Sequence, residues 1–295
     1  MLLDTTGEPV DVVVVGSLNL DLVVRVPRHP GGGETLSGTG YAEYAGGKGL
    51  NQAVAAARSG ASVALVGNIG DDEAGERLRR LVRDEGIDDR HLRTLSGVPT
   101  GRALITVDDH GENSIIVVAG ANGGSAPDEL PSGRVVLAQL ETTLAGVTDA
   151  FELARESGAI TVLNPAPAVE LPDRLVDACD VLVPNEHEVD LLGGRAALTD
   201  RVGHLVVTLG SAGAEHCVAD RVTGIAPFQV APIDTTGAGD AFCGAMSARL
   251  AAGHEMADAL VWASAAGAIA TTVDGAVPSQ PAAAEIERLI GARGR

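Results

Sequence analysis

The sequence is poor in aromatic and in basic residues, and both shortages restrict what the protein can bind. Aromatic residues make up 2% of its 295 residues, so few side chains are available to stack on a nucleobase. Lys and Arg number 21 against 40 Asp and Glu, which gives a formal net charge of −19. Because nucleic acids and anionic membranes are held mainly through positive charge, we expect neither as a partner. An anionic ligand would have to be held by local backbone N–H groups.

Cysteines and long apolar runs are also scarce. Cys179, Cys217 and Cys243 are odd in number, widely spaced and without the spacing of metal ligands. This usage predicts reduced thiols in a cytoplasmic protein. The longest early apolar run, residues 12–15, stops at Gly16 and has no basic residues before it. We therefore expect neither a signal peptide nor a membrane-spanning segment.

The chain does contain an alternation of short β-branched runs with Ala-rich helical segments. The first run, residues 10–15, has apolar residues on both faces, which is typical of a buried parallel strand. Further strands of this kind are predicted at 135–139, 160–163, 181–183 and 205–209. Since a chain of this length can bury a large core, the pattern predicts a single α/β domain over residues 1–295.

Four other predicted strands interrupt the alternation and form a small inserted sheet, contributed by segments 18–45 and 99–120. They run at 22–26, 36–44, 102–107 and 114–119. Residues 108–111, with the sequence DDHG, make a good hairpin turn between the last two. These strands have apolar residues on both faces, which four strands alone cannot cover. We expect one face to close over the ligand as a lid and the other to meet a second copy of the chain in a homodimer.

The stretch at 234–242 has the strongest chemical pattern. Gly237 and Gly239 flank Ala238 and precede an apolar helical run. A helix start offers unpaired N–H groups and the positive end of the helix dipole, which together hold anions. Asp240 adds a carboxylate in the first turn, so the stretch could bind a phosphoryl group and take a proton from its acceptor. An ordinary glycine turn that packs a helix against a sheet is the alternative.

Polar residues follow several predicted strands, where ligands collect in open α/β sheets. Asn19 and Asp21 suit a polyol, since Asn donates and accepts hydrogen bonds and Asp accepts them. An Asx turn is the alternative. Asn185 and Glu188, three residues apart, suit water-mediated binding of Mg²⁺ from one helix face, or Glu188 is a capping carboxylate. Four such strand ends predict one long crevice, at 139–141, 164–167, 185–188 and 208–213.

The glycine-rich stretch at 45–51 is not a P-loop. A P-loop needs a glycine five residues before Gly47, where this chain has Ala42, and a Ser or Thr directly after the lysine. We expect these glycines to let the backbone approach a small ligand, with Lys48 and Asn51 as donors.

Together these motifs resemble the ribokinases of the PfkB carbohydrate kinase family over nearly the whole chain. The first family signature is matched by Gly46, Gly47, Asn51, Ala53, Gly60 and Gly70 at the right spacing, and the second by DTTGAGDAF. The motif GGKGLNQAVAAARSG is more specific to ribokinases. Motifs typical of ribokinases follow in the right order: GSLNLD, GETLSG, TGRALITVDDHGEN, NPAPA and VVTLGSAG. The resemblance implies a three-layer αβα, doubly wound and mostly parallel sheet with a lid sheet. It also implies a kinase that uses ATP to phosphorylate the 5-hydroxyl of D-ribose.

The resemblance further implies roles for individual residues. Asp240 would be the general base, and the amides of Gly237, Ala238 and Gly239 would form an anion hole. The positions that match sugar-binding residues are Asn19, Asp21, Gly46, Gly47, Lys48, Asn51 and Glu141. Those that match nucleotide contacts are Asn185, Thr208, Gly210, Ser211, Gly213, Gly239 and Ser264. Glu188 would hold Mg²⁺ through water, and the residues that match an activating K⁺ site are Asp234, Thr236, Ala270, Val273, Gly275 and Ser279.

Two departures from the family pattern leave alternatives open. Ser264 stands where ribokinases often carry Asn near the adenine, so base selectivity is open. The connection at 193–203 is short, so we expect a surface helix to be missing. The rival functions are a nucleoside kinase, another PfkB sugar kinase and a non-catalytic sugar-binding regulator. Few aromatic residues disfavour the first, the intact stretch at 234–242 disfavours the last, and the carboxylates of Asp21 and Glu141 would repel a sugar phosphate.

Overall fold

The computed structural model describes residues 1–4, 7–126 and 128–293. The strands in these ranges are β1 (Leu2–Asp4), β2 (Val10–Val15), β3 (Asn19–Arg25), β4 (Gly40–Gly46), β5 (Val63–Gly70), β6 (Leu92–Leu95), β7 (Gly101–Val107), β8 (Asn113–Val118), β9 (Glu129–Pro131), β10 (Gly133–Gln139), β11 (Ile160–Asn164), β12 (Val181–Leu182), β13 (His204–Thr208), β14 (Ala214–Val218) and β15 (Arg221–Ile225). The α-helices are α1 (Lys48–Arg58), α2 (Glu73–Asp84), α3 (Leu144–Glu156), α4 (Asp173–Asp177), α5 (Glu186–Leu191), α6 (Arg195–Thr199), α7 (Ala238–Ala251), α8 (Met256–Ala270) and α9 (Ala283–Arg293). Within the described ranges, none of these helices is long and apolar enough to cross a membrane.

Nine strands form the central sheet, in the order β15-β14-β13-β12-β11-β10-β2-β5-β6. The strands from β13 to β6 run parallel, whereas β14 and β15 pair antiparallel at one edge. Parallel neighbours need crossover connections, and helices supply most of them here. The predicted α/β fold with a mostly parallel sheet is confirmed.

Helices cover both faces of this sheet and give the fold three layers. Along β2, Val12 and Val14 pack into one apolar cluster with α1, α2, α7 and α8, while Val13 and Val15 pack into another with α3 and α4. Successive side chains of a strand point to opposite faces, so a strand buried on both sides needs apolar residues at every position. This explains why the run at 12–15 is apolar without alternation.

The inserted sheet is a separate four-stranded sheet in the order β4-β3-β7-β8. Its β7 and β8 pair antiparallel across the hairpin predicted at 108–111. The strands predicted at 22–26 and 36–44 are displaced, because β3 and β4 pair from Asn19 opposite Gly46 to Arg25 opposite Gly40. Asn and Asp favour turns locally, but β3 lies between β4 and β7, and pairing on both sides outweighs that preference.

The connection at 193–203 keeps one helical turn, α6, although the sequence predicts that a surface helix is missing there. Leu198 of α6 is buried in the cluster formed with α3 and α4. That one apolar side chain gives the turn a packing partner, so the short connection closes without exposing the edge of the cluster.

A third, two-stranded sheet attaches the N-terminal strand to the domain. In it β1 runs parallel to β9, with Leu2 opposite Glu129 and Asp4 opposite Pro131. Since β9 leads directly into β10 of the central sheet, the start of the chain is held next to a core strand.

Candidate active site

Asp240 lies in the first turn of α7 and is 5% exposed. The helix starts after Gly237, whose φ of 77° is left-handed and favours glycine. A Cβ on Gly237 would also lie 3.0 Å from the Cα of Ala276, so a side chain would not fit. The sharp turn that the glycines at 237–239 predict therefore brings the carboxylate to the carboxyl end of the central sheet, next to α1.

Two amide side chains of α1 hold the Asp240 carboxylate. Asn51 Nδ2 donates to Asp240 Oδ2 at 2.8 Å, and Gln52 Nε2 donates to Oδ1 at 2.9 Å. Gln139, the last residue of β10, donates in turn from Nε2 to Gln52 Oε1 at 2.6 Å. Buried polar groups need such partners, and each carboxylate oxygen keeps capacity to accept a further hydrogen bond. The arrangement fixes the carboxylate without using up its acceptor sites.

Gln52 and Gln139 have no individual role in the prediction from the sequence, although Gln139 lies in the predicted crevice segment 139–141. Both are fully buried polar side chains, one in an Ala-rich helix and the other at the end of an apolar strand. The sequence does contain a signal for both residues, an amide side chain among apolar residues. Burying an amide without a hydrogen-bond partner destabilises the fold, so such a residue is expected to have a polar partner.

Asp240 opens into a pocket of roughly 230 Å³, the Asp240 pocket. It brings together predicted catalytic, sugar, nucleotide and metal residues, namely Lys48, Asn185, Glu188, Thr208, Gly237, Gly239 and Asp240. Four predicted nucleotide residues do not line it. Gly210 and Ser211 form a 3₁₀ turn after β13 and Gly213 follows that turn, while Ser264 is buried within α8. The pocket therefore contains Asn185, Thr208 and Gly239 of the predicted nucleotide residues.

The backbone N–H groups at the start of α7 differ in their availability. Ala238 donates to Thr235 O at 3.3 Å, a long hydrogen bond. For Gly239 and Asp240, no backbone acceptor lies within hydrogen-bond reach among the described residues. First-turn N–H groups lack intrahelical partners, so these two are the donors best placed to meet an anion.

Glu188 and Asn185 form a reciprocal cap at the start of α5. Asn185 Oδ1 accepts from Glu188 N at 2.8 Å, and Glu188 Oε2 accepts from Asn185 N at 2.8 Å. The capping alternative is thus observed, and the same carboxylate also lines the Asp240 pocket. Burial raises the pKa of Glu188, although the hydrogen bond from Asn185 and the charge of Lys48 work against the rise.

Lys48 is the cation of the Asp240 pocket. Asp240 raises the pKa of Lys48, burial opposes this, and Glu141 and Glu188 add to the rise. The ammonium group therefore stays charged, and it offsets part of the negative charge that three carboxylates bring to the site.

Asp21 lines a second cleft of roughly 430 Å³, the Asp21 cleft, between the inserted sheet and the loops at 233–236 and 274–276. Burial and the neighbouring charge of Glu141 raise the pKa of Asp21 from 3.8 to about 7. A Cβ on Gly46 would overlap the Asp21 carboxylate, so any larger residue there would displace this side chain. Once it is ionised, the buried Asp21 carboxylate accepts hydrogen bonds strongly.

Asn19 and Glu141 are held by neighbouring residues, of which Asn122 and Ser17 have no individual role in the prediction from the sequence. Asn122 Nδ2 donates to Asn19 Oδ1 at 2.8 Å, and its amide also bonds both backbone groups of Leu18 at 3.0 and 3.1 Å. Ser17 Oγ donates to Glu141 Oε2 at 2.6 Å, and Lys48 N donates to the same oxygen at 3.0 Å.

Of the residues predicted to hold K⁺, Ala270 is the last residue of α8 and the others lie in two loops that Asp234 joins. Asp234 Oδ2 accepts from Gly275 N at 2.9 Å and Oδ1 from Thr236 N at 2.9 Å. Burial would raise the pKa of Asp234, but hydrogen bonds from Gly275 and Thr236 hold it below its usual value. An ionised carboxylate offers oxygen ligands of the kind that a hard cation prefers. Ser279 donates to Ala276 O, Ala270 is buried and Val273 is exposed.

Comparisons with known proteins match nearly the whole chain. The model of a family described as pfkB family carbohydrate kinase matches residues 10–283. The ribokinase of Haemophilus influenzae is 38% identical, over 92% of this chain and 95% of that protein. The ribokinase of Bacillus subtilis is 34% identical, over 95% of this chain and 99% of that protein. The structure of Arabidopsis thaliana ribokinase complexed with ribose and ATP has a TM-score of 0.88 at 29% identity, over 96% of this chain and 99% of that one.

Proposed function

The chain belongs to the pfkB family of carbohydrate kinases, and from that membership we propose that it is a ribokinase that uses ATP to phosphorylate the 5-hydroxyl of D-ribose. Transfer of a phosphoryl group to an alcohol is the chemistry of the family. Ribose is the substrate of relatives that are 34% and 38% identical over almost the entire chain. One observation carries the proposal: the carboxylate of Asp240 shares a pocket with Lys48 and Glu188 at the start of α7.

The proposed reaction is an in-line transfer in the Asp240 pocket. Asp240 takes the proton of the sugar hydroxyl as the hydroxyl oxygen forms its bond to the γ-phosphorus of ATP. The bond from that phosphorus to the β–γ bridging oxygen breaks, and its electron pair leaves with ADP. The N–H groups of Gly239 and Asp240, with the ammonium of Lys48, face the charge that develops on the transferred group.

The inserted sheet supplies the sugar contacts and acts as the lid. Asp21 and Asn19 belong to its strand β3, while Glu141 and Asn51 reach the sugar from the central domain. Asp21 accepts hydrogen bonds from two sugar hydroxyls in this proposal, because a buried carboxylate needs donors once it is ionised. Closure of the lid excludes water from the transferred phosphoryl group.

Two ions complete the proposed site. Glu188 holds Mg²⁺ through water, with Asn185 fixing its orientation, and Mg²⁺ neutralises phosphate charge when bound. The loops joined by Asp234 hold K⁺ through backbone carbonyls next to the start of α7. A cytoplasmic location is proposed as well, since all three cysteines are buried free thiols.

The outer face of the inserted sheet is proposed to form a homodimer. Leu104, Ile116, Val118 and Tyr41 are 42%, 62%, 46% and 63% exposed on it, and an apolar patch of this kind marks an interaction surface. Sedimentation that shows a monomer at working concentration would contradict this part of the proposal.

The function is tested by measuring ADP release from Mg-ATP with ribose, other pentoses, hexoses and nucleosides, with and without K⁺. Asp240→Asn should lower kcat about 10²-fold to 10⁴-fold and leave sugar binding nearly unchanged, because it removes only the base. Asp258→Asn, an exposed carboxylate in the first turn of α8, is the matched control. Preference for a nucleoside would favour the rival kinase, and full activity of Asp240→Asn would refute the assignment of the base.

A further inference from the structure

A second cluster of ligand-type side chains lies outside the site described above. Asp4 of β1, His91 just before β6, and Glu129 of β9 place one imidazole nitrogen and two carboxylate oxygens within 4.8 Å of one another. None of the three lines the Asp240 pocket or the Asp21 cleft. The cluster joins the two-stranded sheet to the β6 edge of the central sheet.

The strand register explains why the two carboxylates meet. In the parallel pair of β1 and β9, Leu2 lies opposite Glu129. Asp4 is two residues beyond Leu2, so its side chain points to the same face of the sheet as that of Glu129. Side chains at such diagonal positions are close enough for long residues to touch.

His91 gives independent evidence that a ligand belongs here. The residue is 8% exposed, and its Nε2 has no hydrogen-bond partner among the described residues. Nε2 lies 3.4 Å from Asp4 Oδ2, beyond the usual length of a hydrogen bond. A buried imidazole nitrogen that makes no hydrogen bond destabilises the folded state, unless another group accepts its proton or binds its lone pair.

The spacing of these atoms fits a metal ion. Zinc lies about 2.0–2.2 Å from imidazole nitrogen and carboxylate oxygen, so two ligands of a tetrahedral ion are about 3.3–3.6 Å apart. Nε2 of His91 and Oδ2 of Asp4 already have that separation. Glu129 is exposed, and a rotation of its side chain brings its carboxylate in as the third ligand.

The charge of the cluster also favours a cation. Two carboxylates and a neutral imidazole give the charge that a divalent ion needs, and the whole chain carries −19. Arg90 is the nearby opposing charge. Its guanidinium bonds Asp88 at 2.6 Å and is thereby partly neutralised.

We propose that Asp4, His91 and Glu129 bind a divalent transition-metal ion, with Zn²⁺ the best match to one imidazole and two carboxylates. A water molecule completes the tetrahedron. The ion is structural, because it ties β1 and β9 to the segment before β6 and lies outside the two clefts of the kinase site.

The test uses the full-length protein after treatment with a chelator. Calorimetric titration with Zn²⁺ should show one bound ion per chain, and Co²⁺ should give the visible absorption of a tetrahedral site. Zn²⁺ should raise the melting temperature. His91→Gln and Glu129→Gln should each weaken binding by about 100-fold or more, since even an outer-shell partner contributes 10- to 100-fold. Kinase activity of Glu129→Gln should be unchanged.

His110→Gln, in the exposed hairpin at 108–111, is the control and should bind as the parent does. His216→Gln checks a different candidate for the ion, the histidine pair His204 and His216, whose ring nitrogens are 2.9 Å apart. If His216→Gln lost Zn²⁺ binding and His91→Gln kept it, the ion would be bound by His204 and His216, and the proposal would be overturned. Absence of Zn²⁺ binding by the parent would also overturn it, leaving a plain ion pair between His91 and Asp4. Glu129 is on the surface, so its variant remains informative if His91→Gln does not fold.

Discussion

Asp21→Asn should stabilise the sugar-free enzyme at neutral and alkaline pH, although it removes a proposed substrate contact. The pKa of Asp21 is raised from 3.8 to about 7 by burial and by the charge of Glu141. Each pKa unit corresponds to about 1.4 kcal/mol, so the ionised carboxylate costs the folded state up to about 4 kcal/mol. The side chain is partly exposed to the cleft, and we therefore expect a measured gain of roughly 2–4 kcal/mol for the neutral amide.

The sign of this effect changes with pH in a defined way. Below about pH 4, Asp21 is protonated in both the folded and the unfolded chain, so the substitution should change little. Between about pH 4 and pH 7 the unfolded chain loses the proton while the folded protein keeps it, and the parent loses stability as the pH rises. Above about pH 7 the full cost is present, and the advantage of the variant should level off.

Urea unfolding of parent and variant at several pH values measures this difference directly. Subtracting one protein from the other cancels the groups that the two share. Asp109→Asn, in the exposed hairpin, is the control and should show no such pH-dependent gain. If the advantage of Asp21→Asn were equal at pH 4 and pH 8, or were absent at pH 8, burial of this carboxylate would not be the cause.

Three further predictions concern the kinetic constants KM and kcat. In the proposed complex, sugar hydroxyls donate to the ionised form of Asp21, so KM for ribose should fall as the pH rises through about 7, and a flat KM would argue against the contact. Gly46→Ala should raise that KM about tenfold or more with kcat largely kept, since the new methyl overlaps the Asp21 carboxylate; an unchanged KM would contradict the geometry. Gln52→Leu should lower kcat roughly 10- to 100-fold, because it removes a donor to the Asp240 carboxylate worth about 1.5–3 kcal/mol. Normal kcat in that variant would show that Asn51 alone positions the base.

The parts of the fold that follow from local patterns could be predicted from the sequence. The apolar run at 12–15 is buried on both faces as expected, and the hairpin at 108–111 forms because its turn residues specify it. Strand β3 starts three residues earlier than predicted, because Asn19 and Asp21 are local turn formers that pairing on two sides draws into a sheet. The turn α6 depends on the burial of Leu198, a tertiary contact without a local signal.

In the candidate site, too, some features follow from local sequence patterns and others depend on contacts between distant parts of the chain. The position of Asp240 in the first turn of a helix follows from the neighbouring glycines, so the sequence predicts it. The support from Gln52 and Gln139 could not be predicted, because it joins residues 87 positions apart. The raised pKa of Asp21 comes first from burial and then from the charge of Glu141, and both are properties of the folded chain.

Strand β3 begins with Asn19 and Asp21 and then continues as an inner strand of the inserted sheet. In the proposed function, substrate recognition and access to the site therefore depend on one continuous piece of backbone. A chimera that receives segments 18–45 and 99–120 from a relative should acquire the donor's sugar preference together with its lid. If the chimera behaves in this way, specificity can be engineered by exchanging the inserted sheet without changing α7.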